Sequence, residues 1–166
     1  MCSSDLLGST AIQQVTGQPA DDCAIQISDT SVIENLIGGR RNDTLTGNAL
    51  DNRIEGGDGN DTIEGKGGND VLIGGRGGDT YLYDADTALG HDDIIELFTI
   101  ATRNDVDLID FGATTGVGVT LDLSSNASQT VAPGLSITLS DGMGIENLFG
   151  GTGRSEEHTS ELQSLA

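Results

Sequence analysis

The 166-residue chain carries 27 acidic residues against 7 lysines and arginines, a formal charge of −20, with 25 glycines, two tyrosines, three phenylalanines and no tryptophan. Such acidity repels nucleic acid and anionic membranes and attracts cations. The few aromatics leave little for a conventional core, and no run of about 18 apolar residues exists to cross a bilayer, so no membrane insertion is expected. Composition alone would suit disorder, but periodicity argues against it.

The two ends are set aside first. The run Arg154-Ser155-Glu156-Glu157-His158-Thr159-Ser160-Glu161-Leu162-Gln163-Ser164 resembles a translated short-read sequencing adapter. The reverse complement of that adapter, read from a GTG start, gives Met1-Cys2-Ser3-Ser4-Asp5-Leu6. Residues 1–6 and 154–166 are therefore excluded from fold reasoning, and residues 7–153 are treated as an internal piece of a longer protein. Asp5 carries one negative charge and the tail a net two, which leaves −17 on that piece. Cys23 then stands without a second cysteine and reads as a small buried filler.

In chain order, residues 7–37 read as the end of a preceding β-rich unit. Residues 38–82 fall into five nonapeptides in register. The first is Gly38-Gly39-Arg40-Arg41-Asn42-Asp43-Thr44-Leu45-Thr46 and the second Gly47-Asn48-Ala49-Leu50-Asp51-Asn52-Arg53-Ile54-Glu55. Gly56-Gly57-Asp58-Gly59-Asn60-Asp61-Thr62-Ile63-Glu64 follows, then Gly65-Lys66-Gly67-Gly68-Asn69-Asp70-Val71-Leu72-Ile73 and Gly74-Gly75-Arg76-Gly77-Gly78-Asp79-Thr80-Tyr81-Leu82. Glycine permits positive φ and lets turns stack backbone on backbone. The sixth-position aspartate offers a hard oxygen ligand, to which turn carbonyls add more. The last three residues form a short strand whose middle residue points inward. Leu45, Ile54, Ile63, Leu72 and Tyr81 therefore make an apolar ladder, and extrapolation backward adds Leu36 and Ile27.

This pattern resembles the G-G-x-G-x-D-x-U-x repeat of the RTX, or hemolysin-type calcium-binding, family. The resemblance implies an all-β fold: a parallel β-roll, two nonapeptides to the turn, followed by a β-rich connector. It also implies several calcium ions, each held between nonapeptides two apart. One edge would pair Asp43 with Asp61 and Asp61 with Asp79, and the other Asn52 with Asp70. Gly38, Gly56, Gly57, Gly59, Gly65, Gly68, Gly74, Gly75 and Gly77 would contribute turn backbone. The copy from Gly47 departs furthest, with Leu50 for a turn glycine and Asn52 for the aspartate, so a weakened or vacant site is expected there. In the copy from Gly38, Arg41 replaces a turn glycine. Residues 38–82 carry only −3, against −10 for 83–153, so the roll places its aspartates and does not merely accumulate charge.

Residues 83–149 are read as the connector. Tyr81-Leu82-Tyr83-Asp84 is expected to end the array and cover its last turn. Strands are expected at 92–97, 105–111, 117–123 and 135–139, the third from its alternation. His91 is assigned to a turn, and Asp107 and Asp110 to surface or turn-edge positions. Ile145-Glu146-Asn147-Leu148-Phe149-Gly150-Gly151 repeats Ile33-Glu34-Asn35-Leu36-Ile37-Gly38-Gly39 at a spacing of 112 residues, so 150–153 read as the start of the next roll.

No HExxH, GxSxG, P-loop or CxxC motif is present, and no catalytic residue is assigned. The expected function is calcium binding that drives folding of a structural or adhesive module in a secreted or surface bacterial repeat protein. Its expected partners are calcium, tandem neighbouring units, and a surface glycan or protein, with no nucleic acid. The family resemblance places it outside the cell after type I-like export. The rival reading is the calcium-binding portion of a secreted RTX hydrolase or toxin whose catalytic domain lies elsewhere.

Overall fold

The computed structural model describes residues 13–14, 24–26, 34–96, 105–140 and 144–152, all of them strand, turn or coil. Cys23, Ile27, Leu97 and both terminal runs lie outside the described residues. With strands numbered in chain order, one sheet runs β1 (Gln13–Gln14), β3 (Asn35–Ile37), β5 (Arg53–Asp58), β7 (Val71–Arg76), β9 (Gly90–Ile95), β12 (Leu135–Leu139) and β11 (Gln129–Ala132). The other runs β13 (Asn147–Phe149), β10 (Leu108–Asp110), β8 (Thr80–Leu82), β6 (Thr62–Glu64), β4 (Thr44–Thr46) and β2 (Ala24–Gln26). Successive nonapeptides alternate between the sheets, so each strand pairs in parallel with the one a full coil away.

The register makes that coil 18 residues long. Leu45 stands beside Ile63 and Ile63 beside Tyr81, while Leu36 stands beside Ile54 and Ile54 beside Leu72. A three-residue strand is too short to be stable alone. Here each contributes one inward side chain, and Leu36, Leu45, Ile54, Ile63, Leu72 and Tyr81 are all fully buried. The glycine turns bring the coils close enough for that ladder to pack. At Gly75, with φ +114°, an added Cβ would overlap the carbonyl oxygen of Gly57 one coil below. The expected parallel β-roll is the observed fold.

Several details differ from the expectation. Ile25, not Ile27, stands beside Leu45, because the preceding coil is two residues longer than 18. Tyr81 does not end the array, since it is an interior rung whose neighbour is Ile109, followed by Leu148. In the other sheet Leu72 is followed by Ile94 and then Leu139. The nonapeptides stop at residue 82 but the sheets do not. Longer loops separate the later strands, and lengthening a loop adds little closure entropy. Tyr83 turns inward and stacks on Phe111, with ring centroids 5.4 Å apart.

Of the expected connector strands, 135–139 is observed as drawn, and those at 92–97 and 105–111 are β9 and β10. Residues 117–123 bury Val119, Leu121 and Leu123 as their alternation requires, yet form no strand. Thr120 N–H donates to the Val131 carbonyl at 3.1 Å, so the segment is anchored by its side chains more than by a ladder. The two copies of the 112-residue repeat land on different sheets, Leu36 in β3 and Leu148 in β13.

The ladder predicts that Ile63→Ala, which empties a rung between two fully buried neighbours, costs about 2–5 kcal/mol. Leu50→Ala, at a side chain 42% exposed, should change stability by less than about 0.5 kcal/mol. Urea unfolding of calcium-saturated protein followed by circular dichroism measures both.

Candidate metal centres

The sixth residue of each repeat sits just before its strand, inside the turn, and both edges of the roll are built from these residues. On one edge Asp43 N–H donates to Asp61 Oδ1 at 2.7 Å, Asp61 N–H to Asp79 Oδ1 at 2.7 Å, and Asp79 N–H to Asp107 Oδ1 at 2.7 Å. On the other, Asn52 N–H donates to Asp70 Oδ1 at 2.8 Å and Asp70 N–H to Asp92 Oδ1 at 3.1 Å. One carboxylate oxygen thus clamps the coil below. The second oxygen of Asp61, Asp70, Asp79 and Asp92 is buried and has no hydrogen-bond partner. A buried carboxylate oxygen in that state is costly, and a bound cation is the ordinary remedy.

The first glycine of each repeat shows where those oxygens point. A Cβ on Gly56 would overlap Asp61 Oδ2 and approach the Gly74 carbonyl oxygen at 2.6 Å, and a Cβ on Gly65 would overlap Asp70 Oδ2. On Gly74 it would overlap Asp79 Oδ2 and come within 2.6 Å of Glu96 Oε1 and 2.7 Å of the Tyr81 hydroxyl. Gly56 and Gly74 each open a small cradle on which oxygens from their own repeat and the next coil converge, and Gly65 opens one onto the carboxylate of its own repeat. Gly38 has the same arrangement with Asp43 Oδ2 and the Gly56 carbonyl. Gly57, Gly59, Gly68, Gly75 and Gly77 instead hold positive φ and let the turns stack. Lys66 is the one non-glycine residue with positive φ among the described residues, at +78°.

The expected ligands divide into two groups. Asp61, Asp70 and Asp79 carry the unpartnered oxygens. Asp43 Oδ2 accepts the Gly39 N–H at 2.5 Å. Asn52 Oδ1 accepts the Asn48 N–H at 2.8 Å, and its amide donates to Asn48 Oδ1 at 3.3 Å, which also accepts the Leu50 N–H at 2.9 Å. An amide pair therefore fills the impaired turn with hydrogen bonds.

Asp92, Asp107 and Glu96 are additions that sequence reasoning missed. Asp107, assigned to a surface or turn-edge position, lies at a turn edge just before β10 but is buried and not at the surface. The signal was present: Gly90-His91-Asp92-Asp93-Ile94-Ile95 keeps the second half of the nonapeptide, and Asp107-Leu108-Ile109-Asp110 its last four positions. His91 lies within β9 and not in a turn, its ring 3.2 Å from Thr138 Oγ1 and 3.3 Å from Asp93.

Burial is the main cause of a common electrostatic pattern. It raises Asp61, Asp70 and Asp107 to about 6, Asp79 and Asp92 to about 7, and Glu96 to about 8. Neighbouring carboxylates on the same edge add to the rise, as Asp61 and Asp107 do for Asp79. All available donors are hard oxygens, which suit calcium.

A parallel roll with stacked aspartate turns and glycine cradles defines a calcium-binding solenoid. The family model "RTX calcium-binding nonapeptide repeat (4 copies)" matches residues 30–49 and 46–81. These residues belong to the RTX calcium-binding nonapeptide repeats, their cofactor is calcium, and the segment is a structural module, not a catalytic one. No curated protein matches the chain.

The raised carboxyls set the sign of the metal-free pH dependence. A carboxyl raised on folding favours the fold when protonated, so its contribution is full below the unfolded value of 3.8 for aspartate. That contribution is lost as pH climbs through about 6 to 8. In chelator, β signal should therefore be greater at pH 5 than at pH 8. With calcium the order should reverse, because protons compete for the same oxygens. Circular dichroism across that range checks both signs.

Proposed function

We propose that the chain is a calcium-gated structural module of an extracellular bacterial repeat protein. Residues 38–82 act as the binding roll, 83–149 as a connector continuing its sheets, and 7–37 and 150–153 as parts of neighbouring units. The observation that carries this reading is the set of four buried aspartate oxygens without partners, three of them facing glycine cradles.

The chain's own residues do the coupling. Asp61, Asp70, Asp79 and Asp92 each clamp the coil below through Oδ1, so these turns cannot form without bringing their Oδ2 into the interior. In the absence of a cation those oxygens are desolvated and repel along each edge, and a glycine-rich chain loses much entropy on ordering. Calcium, when bound, supplies positive charge and accepts six to eight oxygens. Binding free energy then appears as folding free energy. Extracellular modules typically bind at roughly 0.1 to 1 mM, so such a chain stays unfolded in a low-calcium cytosol and folds after export. Placement at the cell surface, type I-like secretion and adhesion to a glycan or protein rest on family resemblance. The second reading, a calcium-binding portion of a secreted RTX hydrolase or toxin, has the same mechanism and differs only in the parent protein.

A calcium titration of the chain by circular dichroism at pH 8, where the buried carboxyls are largely ionised, tests the proposal, with full β signal expected only on adding calcium. Asp61→Ala should raise the calcium midpoint about tenfold or more, through loss of a charged ligand and a clamp. Asn52→Ala should move it much less, because its amide is already satisfied by Asn48. Full β signal in chelator at pH 8 would overturn the reading.

A further inference from the structure

We propose that Glu96 and Asp107 join Asp79 at the Gly74 cradle, at the seam where the nonapeptides stop, in a calcium site that fills before the other cradles of the roll. This deepens the calcium reading above and rests on it. The three carboxylates come from the turn before β8, the residue after β9 and the turn before β10. One oxygen of each lies within 4.8 Å of the others, and all three residues are buried. Independently of that clustering, Asp79 is fully buried, and its Oδ2, aimed into the Gly74 cradle, has no hydrogen-bond partner.

Glu96 explains why this cradle differs from the others. It follows Gly90-His91-Asp92-Asp93-Ile94-Ile95 and so occupies the place where the pattern calls for the first glycine of the next repeat. In the Gly56 cradle the oxygen arriving from the next coil is the Gly74 carbonyl; in the Gly74 cradle it is Glu96 Oε1. A carboxylate has replaced a carbonyl. The Tyr81 hydroxyl, which donates to Glu96 Oε1, also reaches this cradle, and Asp107 N–H is held by Glu146 Oε2 at 2.9 Å. No lysine or arginine pairs with any of the three carboxylates among the described residues. Two carboxylates, Asp79 and Glu96, converge on the Gly74 cradle against one, Asp61, at the Gly56 cradle, while Asp107 stacks on Asp79 as Asp79 stacks on Asp61. The added carboxylate of Glu96 favours tighter calcium binding, since affinity rises with ligand charge. The site would also tie the last nonapeptide to β9 and β10, making docking of the connector calcium-dependent.

Terbium, a luminescent stand-in for calcium excited through tyrosine, reads this site directly. The chain has two tyrosines and no tryptophan, and Tyr83→Phe removes a buried hydroxyl without a hydrogen-bond partner, leaving Tyr81 as the sensitiser. In that full-length background, emission should rise with the first equivalent of terbium and be displaced by calcium. Glu96→Gln, which retains the shape of the side chain, should remove this first phase, raising its midpoint about tenfold or more. Calorimetry should then count one calcium fewer, while saturating calcium still produces the β signal of the roll. An unchanged first phase and unchanged stoichiometry in Glu96→Gln would overturn the seam site alone. A parent chain with no calcium response would overturn the calcium reading and the seam site together. If Glu96→Gln does not fold in saturating calcium, Asp107→Asn decides by the same two readouts.

Discussion

The structure depends on a two-handed aspartate. At Asp61, Asp70 and Asp79 one carboxylate oxygen accepts a backbone N–H from the coil below, and the other is carried into the interior without a partner. The first contact sets the stacking distance and direction of the turns, and the second creates a demand for positive charge that few side chains of this roll could meet. Its five bases lie in or beside the variable turn positions, and Arg53, Lys66 and Arg76 pair with exposed or half-exposed acids at the surface. The fold therefore builds, into its own hydrogen bonding, a requirement for something it does not encode.

The remaining features follow from that arrangement. The inward residues Leu36, Ile54 and Leu72 of one sheet and Leu45, Ile63 and Tyr81 of the other supply apolar burial, but as only two facing columns of side chains between narrow sheets. Such a core is thin for its length, and glycine-rich turns raise the entropy lost on folding. Stability is thus divided between a ladder that is always available and two carboxylate edges that favour the fold only when neutralised. The amide pair of Asn48 and Asn52 shows the other solution, a turn closed by hydrogen bonds alone. Its presence in the middle of the roll lets one coil form without charge repulsion at its own turn.

Most of the roll was legible in the sequence because its period is strict. Nine residues per strand, with glycine, aspartate and an apolar residue at constant offsets, identify the repeat and its inward ladder, and the family resemblance those offsets carry then implies two nonapeptides to the turn and pairing two repeats apart. Legibility failed where loops broke the count. Ile94 and Ile109 continue the two ladders at spacings of 22 and 28 residues from Leu72 and Tyr81, and a search by nines does not reach them. Asp107 was misplaced for the same reason, since a residue taken to lie on a strand is given the wrong face when it belongs to the turn before it. Glu96 was invisible to pattern because it stands where glycine is expected, and only the geometry shows its carboxylate entering the cradle. The segment 117–123 illustrates the converse: alternation was right about burial and wrong about strand pairing.

The central claim is that the clamp and the buried oxygen are coupled, so that the hydrogen bonds along each edge exist only when the second oxygens are compensated. Residue-resolved hydrogen exchange of the Asp43, Asn52, Asp61, Asp70 and Asp79 amides, in saturating calcium and in chelator at neutral pH, measures that coupling directly. The account predicts strong protection of all five with calcium and its collapse in chelator, along both edges together. Protection that persists in chelator would contradict it, because the clamps would then stand without any charge to balance the oxygens they bury.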